Sequence, residues 1–429
     1  MEIAHLHQLF LQSSGISIDT RKIFDKCLFF ALKGANFDGN SFAQQAIQQG
    51  ALYSVVDDSN LQNIEKCIYV NDVLQTLQSL ATYHRKFLNI PIIALTGSNG
   101  KTTTKELLAA VLQKKYKVAY TQGNLNNHIG VPLTLLSIQK EHEIAVVEMG
   151  ANHQKEIDFL CSIALPNYGL INNIGSAHLE GFGGLEGVRL GKTEMYKHLI
   201  AEDKLIFFNE NEESLQVSLP NYPNIYKYGK QNVELLSNQS NTNGCLCIEV
   251  KVDEQVYKIQ TQLFGLYNVQ NVLTALAVGK YLNVPMQESV RAIEEYLPQN
   301  NRSQISQSKN GNALILDAYN ANPNSMLNAL KAFNELKIKD KFFIVGDMFE
   351  LGDYAVVEHQ KILDYVQENN LKGVFVGTHF SALQLPKDCR GFVNTLDAID
   401  YFKNSPIQKQ TILLKGSRGI GLEKLLEVI

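Results

Sequence analysis

Residues 95–105 read LTGSNGKTTTK, and the reading of this stretch decides the fold. A glycine-rich turn followed by a lysine and a run of threonines has the makings of a phosphate cradle. Backbone N–H groups of such a turn converge on phosphate oxygens, and the positive end of the following helix reinforces them. The common P-loop, G-x-x-x-x-G-K-[ST], needs a glycine five places before Gly100. Leu95 stands there, and the nearest upstream glycine is Gly97, so this is a shorter loop. Just before it Pro91 opens the apolar run IPIIALTG, a buried-strand pattern; just after it Leu107, Leu108, Val111 and Leu112 recur at helical spacing. The motif therefore sits at a strand–loop–helix junction. Gly97, Ser98, Asn99, Gly100, Lys101, Thr102 and Thr103 are the expected ATP-binding residues, with Lys101 reaching the β/γ-phosphates and the Thr102 hydroxyl taking Mg²⁺.

At 429 residues the chain exceeds one ordinary domain, and two or three are expected. A hydrophobic content of 45% with 19% charged residues describes a globular protein with ample core. Its net charge of −4 gives no basic footprint, so no nucleic-acid partner is expected. The opening MEIAHLHQLFLQSSG has neither a basic n-region nor a continuous apolar h-region, which argues against a signal peptide. No run approaches the length of a membrane span, and a cytoplasmic location is expected. Cysteines 27, 67, 161, 245, 247 and 389 show no zinc spacing and no disulfide framework, consistent with reduced thiols.

Further buried-strand runs, EIAVVEMG, YGLINNIG and KLIFFNE, alternate with helical stretches, and this alternation argues an α/β fold with a mainly parallel sheet. Upstream, the runs CLFFAL, ALYSVV and KCIYV make a loop-rich block that ends in a helical pattern over 72–88. Segments 244–250 and 255–261 alternate like a hairpin, and 268–282 reads as an amphipathic helix opening at Asn268. The polar stretch 298–312 reads as a linker. Beyond it ALILDAYN, KFFIVGD, KGVFVG and TILLKGS are four more strands. Three domains are expected: a small N-terminal α/β domain (1–89), a central P-loop domain with a mainly parallel sheet (90–301), and a C-terminal Rossmann-like doubly wound domain (302–429).

A phosphoryl-transfer site needs metal-binding groups at strand ends near the loop. Glu148 closes the strand IAVVEMG, His178 stands in the glycine-rich SAHLEGFGG, and Lys192 lies in RLGKTEMY. Taken singly, Glu148 could be a cap, His178 a loop histidine and Lys192 a solvated surface lysine.

Together with the short loop TGSNGKTT, these positions resemble the Mur ligases, the ATP-dependent enzymes that build the peptide of the bacterial cell-wall precursor. The resemblance covers essentially the whole chain. GNLNNHIGVPLTLL (123–136), VEMGANHQKEI (147–157), DAYNANPNSM (317–326), GDMFELG (346–352) and LLKGSRG (413–419) are similar to the member that adds D-alanyl-D-alanine. The member that adds the third residue usually has a DYAHTP-like stretch in place of DAYNANP.

What the resemblance implies can be stated residue by residue. Lys101 is a catalytic and phosphate-binding residue, and Thr102, Glu148, His178 and Lys192 form the Mg²⁺ site, with Lys192 converted by CO₂ into a carbamate. Asn268 and Asn271 lie near the adenine, although the family often has His where this chain has Tyr267. Arg302 and Asp317 reach ATP when the C-terminal domain closes; the family often has Gly where Asn301 precedes that arginine. Within SIDTRKIFDKCLFFALKGANFDGNSF (17–42), Thr20, Arg21, Lys33 and Gly34 bind the UDP-sugar, with Asn40 in place of a usual His. Asn320, Asn322, Lys415, Ser417 and Arg418 are dipeptide candidates that could equally be turn or cap residues. The implied substrates are UDP-MurNAc-tripeptide, D-Ala-D-Ala and ATP, and the implied state is a monomer. Two other readings stand beside this one: another amide ligase on the same scaffold (the third-residue ligase or a folylpolyglutamate synthetase-like enzyme), and a P-loop ATPase that is not a ligase.

Overall fold

The computed structural model describes residues 2–219 and 221–429. Its N-terminal sheet pairs Ile16–Ser17, Leu28–Phe30, Tyr53–Val56 and Cys67–Tyr69 in chain order, all parallel. The last three strands come from the apolar runs seen in the sequence. Helix Val73–Leu88 follows, its start capped by the Asp72 carboxylate accepting the Gln75 N–H and its end turned by Asn89 in the left-handed region.

The next strand, Ile92–Thr96, is buried on both faces because helices cover both sides of the parallel sheet it belongs to. Across that six-stranded sheet the order is Ile225–Tyr228, Leu205–Asn209, Tyr168–Ile171, Ile92–Thr96, Ile144–Glu148 and Val118–Tyr120. From Ile92–Thr96 the chain builds first toward one edge and then, from Tyr168 on, toward the other. Ile92–Thr96 is thus the switch point, where the carboxyl ends of neighbouring strands diverge and open a crevice. The register sets Leu95 opposite Glu148, so the phosphate-loop sequence and the buried carboxylate leave the sheet side by side.

An amphipathic helix is expected over 268–282, and a wholly buried one is found. After a short 3-10 turn, helix Val269–Tyr281 keeps every residue from Asn271 to Gly279 buried. It is wedged between helices Lys101–Leu112 and Met286–Glu295 and two strands of the central sheet, and only Gln270, Lys280 and Tyr281 near its ends are partly exposed. The approach to the first of these is close: a Cβ on Gly279 would come 2.6 Å from Val111 Cγ1. The expected hairpin is present, widened by Glu234–Ser240 into a three-stranded antiparallel sheet with Cys245–Val252 and Gln255–Phe264.

The C-terminal sheet runs Gln304–Gln307, Ala313–Leu316, Thr411–Lys415, Lys341–Gly346, Gly373–Val376 and Cys389–Phe392, parallel except for its first strand. Two of the six escape the sequence pattern. Part of the expected linker 298–312 is the edge strand Gln304–Gln307, whose exposed position leaves Ile305 as its single apolar residue. The other is Cys389–Phe392, also an edge. Thr411–Lys415 inserts between Ala313–Leu316 and Lys341–Gly346 and so makes a second switch point. Between the central and C-terminal sheets, Asn300, Asn301 and Ser303 have φ of 58°, 54° and 49°, an unusual run of left-handed residues without glycine.

All six cysteines are free, and among the described residues no helix is long and apolar enough to cross a membrane. Because Leu276 is fully buried at the centre of helix Val269–Tyr281, Leu276→Ala is expected to cost about 2–5 kcal/mol in urea-induced unfolding.

Candidate active site

The short loop is braced from one side by the segment that leaves strand Tyr168–Ile171. Ser98 N–H donates to Asn173 O at 3.0 Å and Asn99 N–H to Asn173 Oδ1 at 2.9 Å, while Ser98 Oγ bonds both the N–H and the carbonyl of Gly175. Both glycines of the loop are required by this packing. Gly97 has φ 145° and a Cβ there would lie 2.9 Å from Asn172 Cβ; Gly100 has φ 78° and a Cβ there would collide with Asn271 Oδ1. Asparagines of neighbouring elements, Asn172, Asn173 and Asn271, thus fix the loop's path.

Lys101 opens the helix, and its Nζ folds back to Gly97 O at 2.7 Å. Burial pulls this amine below its ordinary value, Glu148 opposes that pull and Arg302 adds to it. Thr102 Oγ1 donates to Glu148 Oε1 at 3.2 Å, and Asn126 Nδ2 donates to the same oxygen at 2.8 Å. Glu148 is 1% exposed, yet its Oε2 has no hydrogen-bond partner. A buried carboxylate with one uncommitted oxygen, beside a hydroxyl and a phosphate loop, is the donor set that a hard divalent cation takes. Among the described residues no three His, Cys, Asp or Glu side chains converge as a ready-made metal cage.

His178 has φ 55°, and its Nδ1 lies 2.5 Å from Glu350 Oε2 of the C-terminal domain. The two atoms are close without the alignment of a full hydrogen bond, and the imidazole beside it holds the Glu350 carboxyl below the usual carboxylate range. Lys192 is fully buried. Its Nζ donates to Ala151 O at 2.9 Å and lies 5.0 Å from the centre of the Phe182 ring. Burial, reinforced by the charge of Lys101, pushes this amine well below its ordinary value, against the weaker pull of Glu156 and Glu194. The solvated-surface reading of Lys192 is thereby excluded: its amine is buried, and burial disfavours its charged form.

The C-terminal sheet supplies the opposite wall. Lys415 Nζ pairs with Asp317 Oδ2 at 2.7 Å, and Asp317 Oδ1 accepts the Ser303 N–H at 3.2 Å. The Arg302 guanidinium stacks 3.7 Å from the centre of the Tyr319 ring. Asn322 caps helix Pro323–Glu335 and donates across the cleft to Asn99 Oδ1 at 2.7 Å, and Asn324 Oδ1 accepts the Ser176 N–H at 2.7 Å. These contacts close a cleft of about 790 Å³ between the two domains.

Of the residues singled out in the sequence, Ser98 to Thr103, Glu148, His178, Asn268, Asn271, Arg302, Asp317, Asn320, Asn322 and Lys415 line this one cleft. Gly97 and Lys192 lie behind its wall. Asn268 and Asn271 have their amides committed internally: Asn271 Oδ1 accepts from Thr104 Oγ1 at 3.0 Å and its Nδ2 donates to Asn268 Oδ1 at 2.8 Å. Ser417 is buried away from the cavity, with its hydroxyl accepting the Phe349 N–H at 3.0 Å, and Arg418 is exposed with Nη1 3.4 Å from the Tyr319 hydroxyl. Thr20, Arg21, Lys33 and Gly34 stay on the N-terminal domain outside the cleft; Arg21 pairs with Asp19 at 2.8 Å and Lys33 with Asp57 at 2.9 Å. Among the cleft residues that carried no assignment from the sequence are Asn126, Asn173, Tyr319 and Glu350. Three of them lie in stretches already conspicuous there, GNLNNHIG, DAYNANPNSM and GDMFELG.

Fold and cleft together define a three-part nucleotide-binding protein with a phosphate loop at a sheet switch point. Three family models match in sequence: the Mur ligase family catalytic domain over 12–93, the Mur ligase middle domain over 95–279, and the Mur ligase glutamate ligase domain over 301–418. The chain is 33% identical over 424 residues to the UDP-N-acetylmuramoyl-tripeptide–D-alanyl-D-alanine ligase of Bacillus subtilis (strain 168), covering 96% of this chain and 92% of that one. A crystal structure of MurF from Acinetobacter baumannii superposes with a TM-score of 0.86 at 30% identity, over 98% of this chain and 97% of that one. MurF ligase from Thermotoga maritima in complex with ADP gives a TM-score of 0.85 at 25% identity, with the same coverage. The chain belongs to the Mur ligase family.

Asn322 allows its two roles to be separated. Asn322→Ser keeps the cap but is too short to reach Asn99, whereas Asn322→Ala loses both contacts. The alanine variant is expected to be less stable than the serine variant by about 1 kcal/mol in chemical denaturation, while both raise the KM for ATP.

Proposed function

We propose that the chain is an ATP-dependent ligase of the cytoplasm that joins D-alanyl-D-alanine to UDP-MurNAc-tripeptide. The observation that carries this reading is the convergence, in one cleft, of a phosphate loop, a buried carboxylate with a free oxygen, and cations from a separate C-terminal domain. Such a cleft suits a reaction in which a nucleotide, a carboxylate and an amine must meet. In this reading residues 1–89 hold the UDP-sugar, 90–301 hold ATP, and 302–429 bring the dipeptide.

Amide formation in water is uphill unless the carboxylate is activated. The terminal carboxylate of the tripeptide attacks the γ-phosphorus of ATP, the bond to the β,γ-bridging oxygen breaks, and ADP departs. The free amine of the dipeptide then adds to the carbon of the acyl phosphate and loses a proton; phosphate leaves with the former carboxylate oxygen, and the amide remains. No protein nucleophile is needed. The chain contributes positioning and charge.

Lys101 exchanges Gly97 O for phosphate oxygens, and its depressed proton affinity is restored by their negative charge. Thr102 and Glu148 would hold one Mg²⁺, and His178 with Lys192, the latter as a carbamate, would hold a second. Metal ions bound there would supply neutralising charge to the phosphates and to the transferring group. A neutral Lys192 amine adds to CO₂ and loses a proton, which turns a group that would repel a cation into one that binds it. Arg302 is held by Tyr319 for the same phosphates, and Asp317 orients Lys415 beside them. Asn268 and Asn271 shape the nucleotide floor from beneath. Thr20, Arg21, Lys33 and Gly34 take the uridine diphosphate. Asn320, Asn322 and Lys415 face the dipeptide, with Ser417 and Arg418 bracing the loop behind it. Closure of the C-terminal domain keeps water from the acyl phosphate.

Phosphate release from ATP is expected to require UDP-MurNAc-tripeptide and to yield amide product only with D-Ala-D-Ala; release indifferent to both would sink the ligase reading. Lys101→Met should lower kcat by at least about a hundredfold with an unchanged melting curve. For Lys192, turnover of the wild type should fall in CO₂-depleted buffer and return on adding bicarbonate, whereas Lys192→Met should be slow in both.

A further inference from the structure

Glu350 has no part in the scheme above, yet its setting is unusual. It lies in the turn after strand Lys341–Gly346 with φ 61°, and it faces His178, whose φ is 55°, across the junction of two domains. Two non-glycine residues in the left-handed region, opposed to one another, mark a geometry that the surrounding structure enforces. Glu350 grips the turn that carries His178 twice: its carboxylate approaches Nδ1 at 2.5 Å, and its carbonyl accepts the Glu180 N–H at 3.3 Å. The rest of the junction is fitted around this grip. A Cβ on Gly352 would come 3.1 Å from Glu180 Cγ, and one on Gly184 would come 3.2 Å from the Tyr354 hydroxyl.

We propose that Glu350 is a positioning residue for the metal site: when the C-terminal domain closes, its carboxylate takes His178 Nδ1 and fixes the ring so that Nε2 is the nitrogen presented to the cation. Imidazoles that bind metals usually rest their other nitrogen on a carboxylate or carbonyl, and loss of that partner typically weakens metal binding about 10- to 100-fold. Here the carboxylate belongs to a different domain from the ligand it orients. The cation site therefore reaches full strength only with the domains together, which confines phosphoryl transfer to the closed cleft. This inference rests on the reading of His178 as a metal ligand.

The test is a titration of Mn²⁺, followed by its electron paramagnetic resonance, in the presence of a non-hydrolysable ATP analogue. Wild type, Glu350→Gln, Glu350→Ala, His178→Ala and the double variant with both alanines are compared, with melting curves to confirm folding. Glu350→Ala is expected to weaken the lower-affinity Mn²⁺ site about tenfold or more. Glu350→Gln, which keeps an acceptor oxygen at the same reach but not the charge, should lose less, and Glu350→Ala should add nothing in the His178→Ala background. If His178→Ala leaves Mn²⁺ binding untouched, the metal-ligand reading fails and the inference with it. If His178→Ala weakens binding but Glu350→Ala does not, the inference alone is overturned. Equal losses from Glu350→Ala in both backgrounds would also overturn it, because the carboxylate would then act without the ring.

Discussion

Asn271, lodged beneath Gly100, is the contact on which the rest of the cleft depends. From it a line of side-chain hydrogen bonds runs both ways. On one side, Thr104 Oγ1 donates to Asn271 Oδ1 and accepts from Asn172 Nδ2 at 2.8 Å, tying the loop helix to the end of the central sheet. On the other, Asn271 donates to Asn268, Asn268 donates to Ser303 Oγ at 3.1 Å, and the Ser303 N–H reaches Asp317, which holds Lys415. The phosphate loop, the helix beneath it, the inter-domain segment and the C-terminal sheet are thus joined by buried polar contacts. Such contacts are costly to leave half-made, so a shift at one end is resisted along the whole line.

The charge arrangement follows a second constraint. Cations from two domains, Lys101, Arg302 and Lys415, meet in one cleft with the carboxylates of Glu148, Glu156, Glu212, Asp317 and Glu350, and Arg302 opposes the protonation of Lys101. Most of the remaining polar wall is asparagine, a neutral group that can donate to phosphate and also brace backbone. Neutral groups of this kind can donate to phosphate or rest on backbone without adding charge to the cleft. Glu148, a buried carboxylate with a free oxygen, stands where a cation would be wanted.

Much of the fold was legible because parallel strands covered on both faces are written as continuous apolar runs. The elements that were missed carry no such run. Gln304–Gln307 and Cys389–Phe392 are edge strands, half in water, and their sequences resemble loops. Helix Val269–Tyr281 was misjudged in its surroundings rather than its existence, because small and β-branched residues can be buried all round without forming a conspicuous stripe. In the cleft, Lys101 and Thr102 could be reached by physical reasoning, since their chemistry depends on local spacing. Glu148, His178 and Lys192 come from separate strands and loops, and only family resemblance drew them together. Asn126, Asn173, Tyr319 and Glu350 escaped because asparagine and turn residues give the same local signal whether they brace a ligand loop or merely end a strand.

The segment between the central and C-terminal sheets bends through Asn300, Asn301 and Ser303 without a glycine. A glycine hinge would roam over both halves of backbone space when the domains part, and that freedom would be surrendered each time they met. Asparagine and serine visit fewer conformations, so the parted protein begins closer to its assembled shape. The bend is thus held by residues with less backbone freedom to lose than glycine, and a glycine introduced at Asn301 would ease its left-handed backbone while loosening the link between the two sheets.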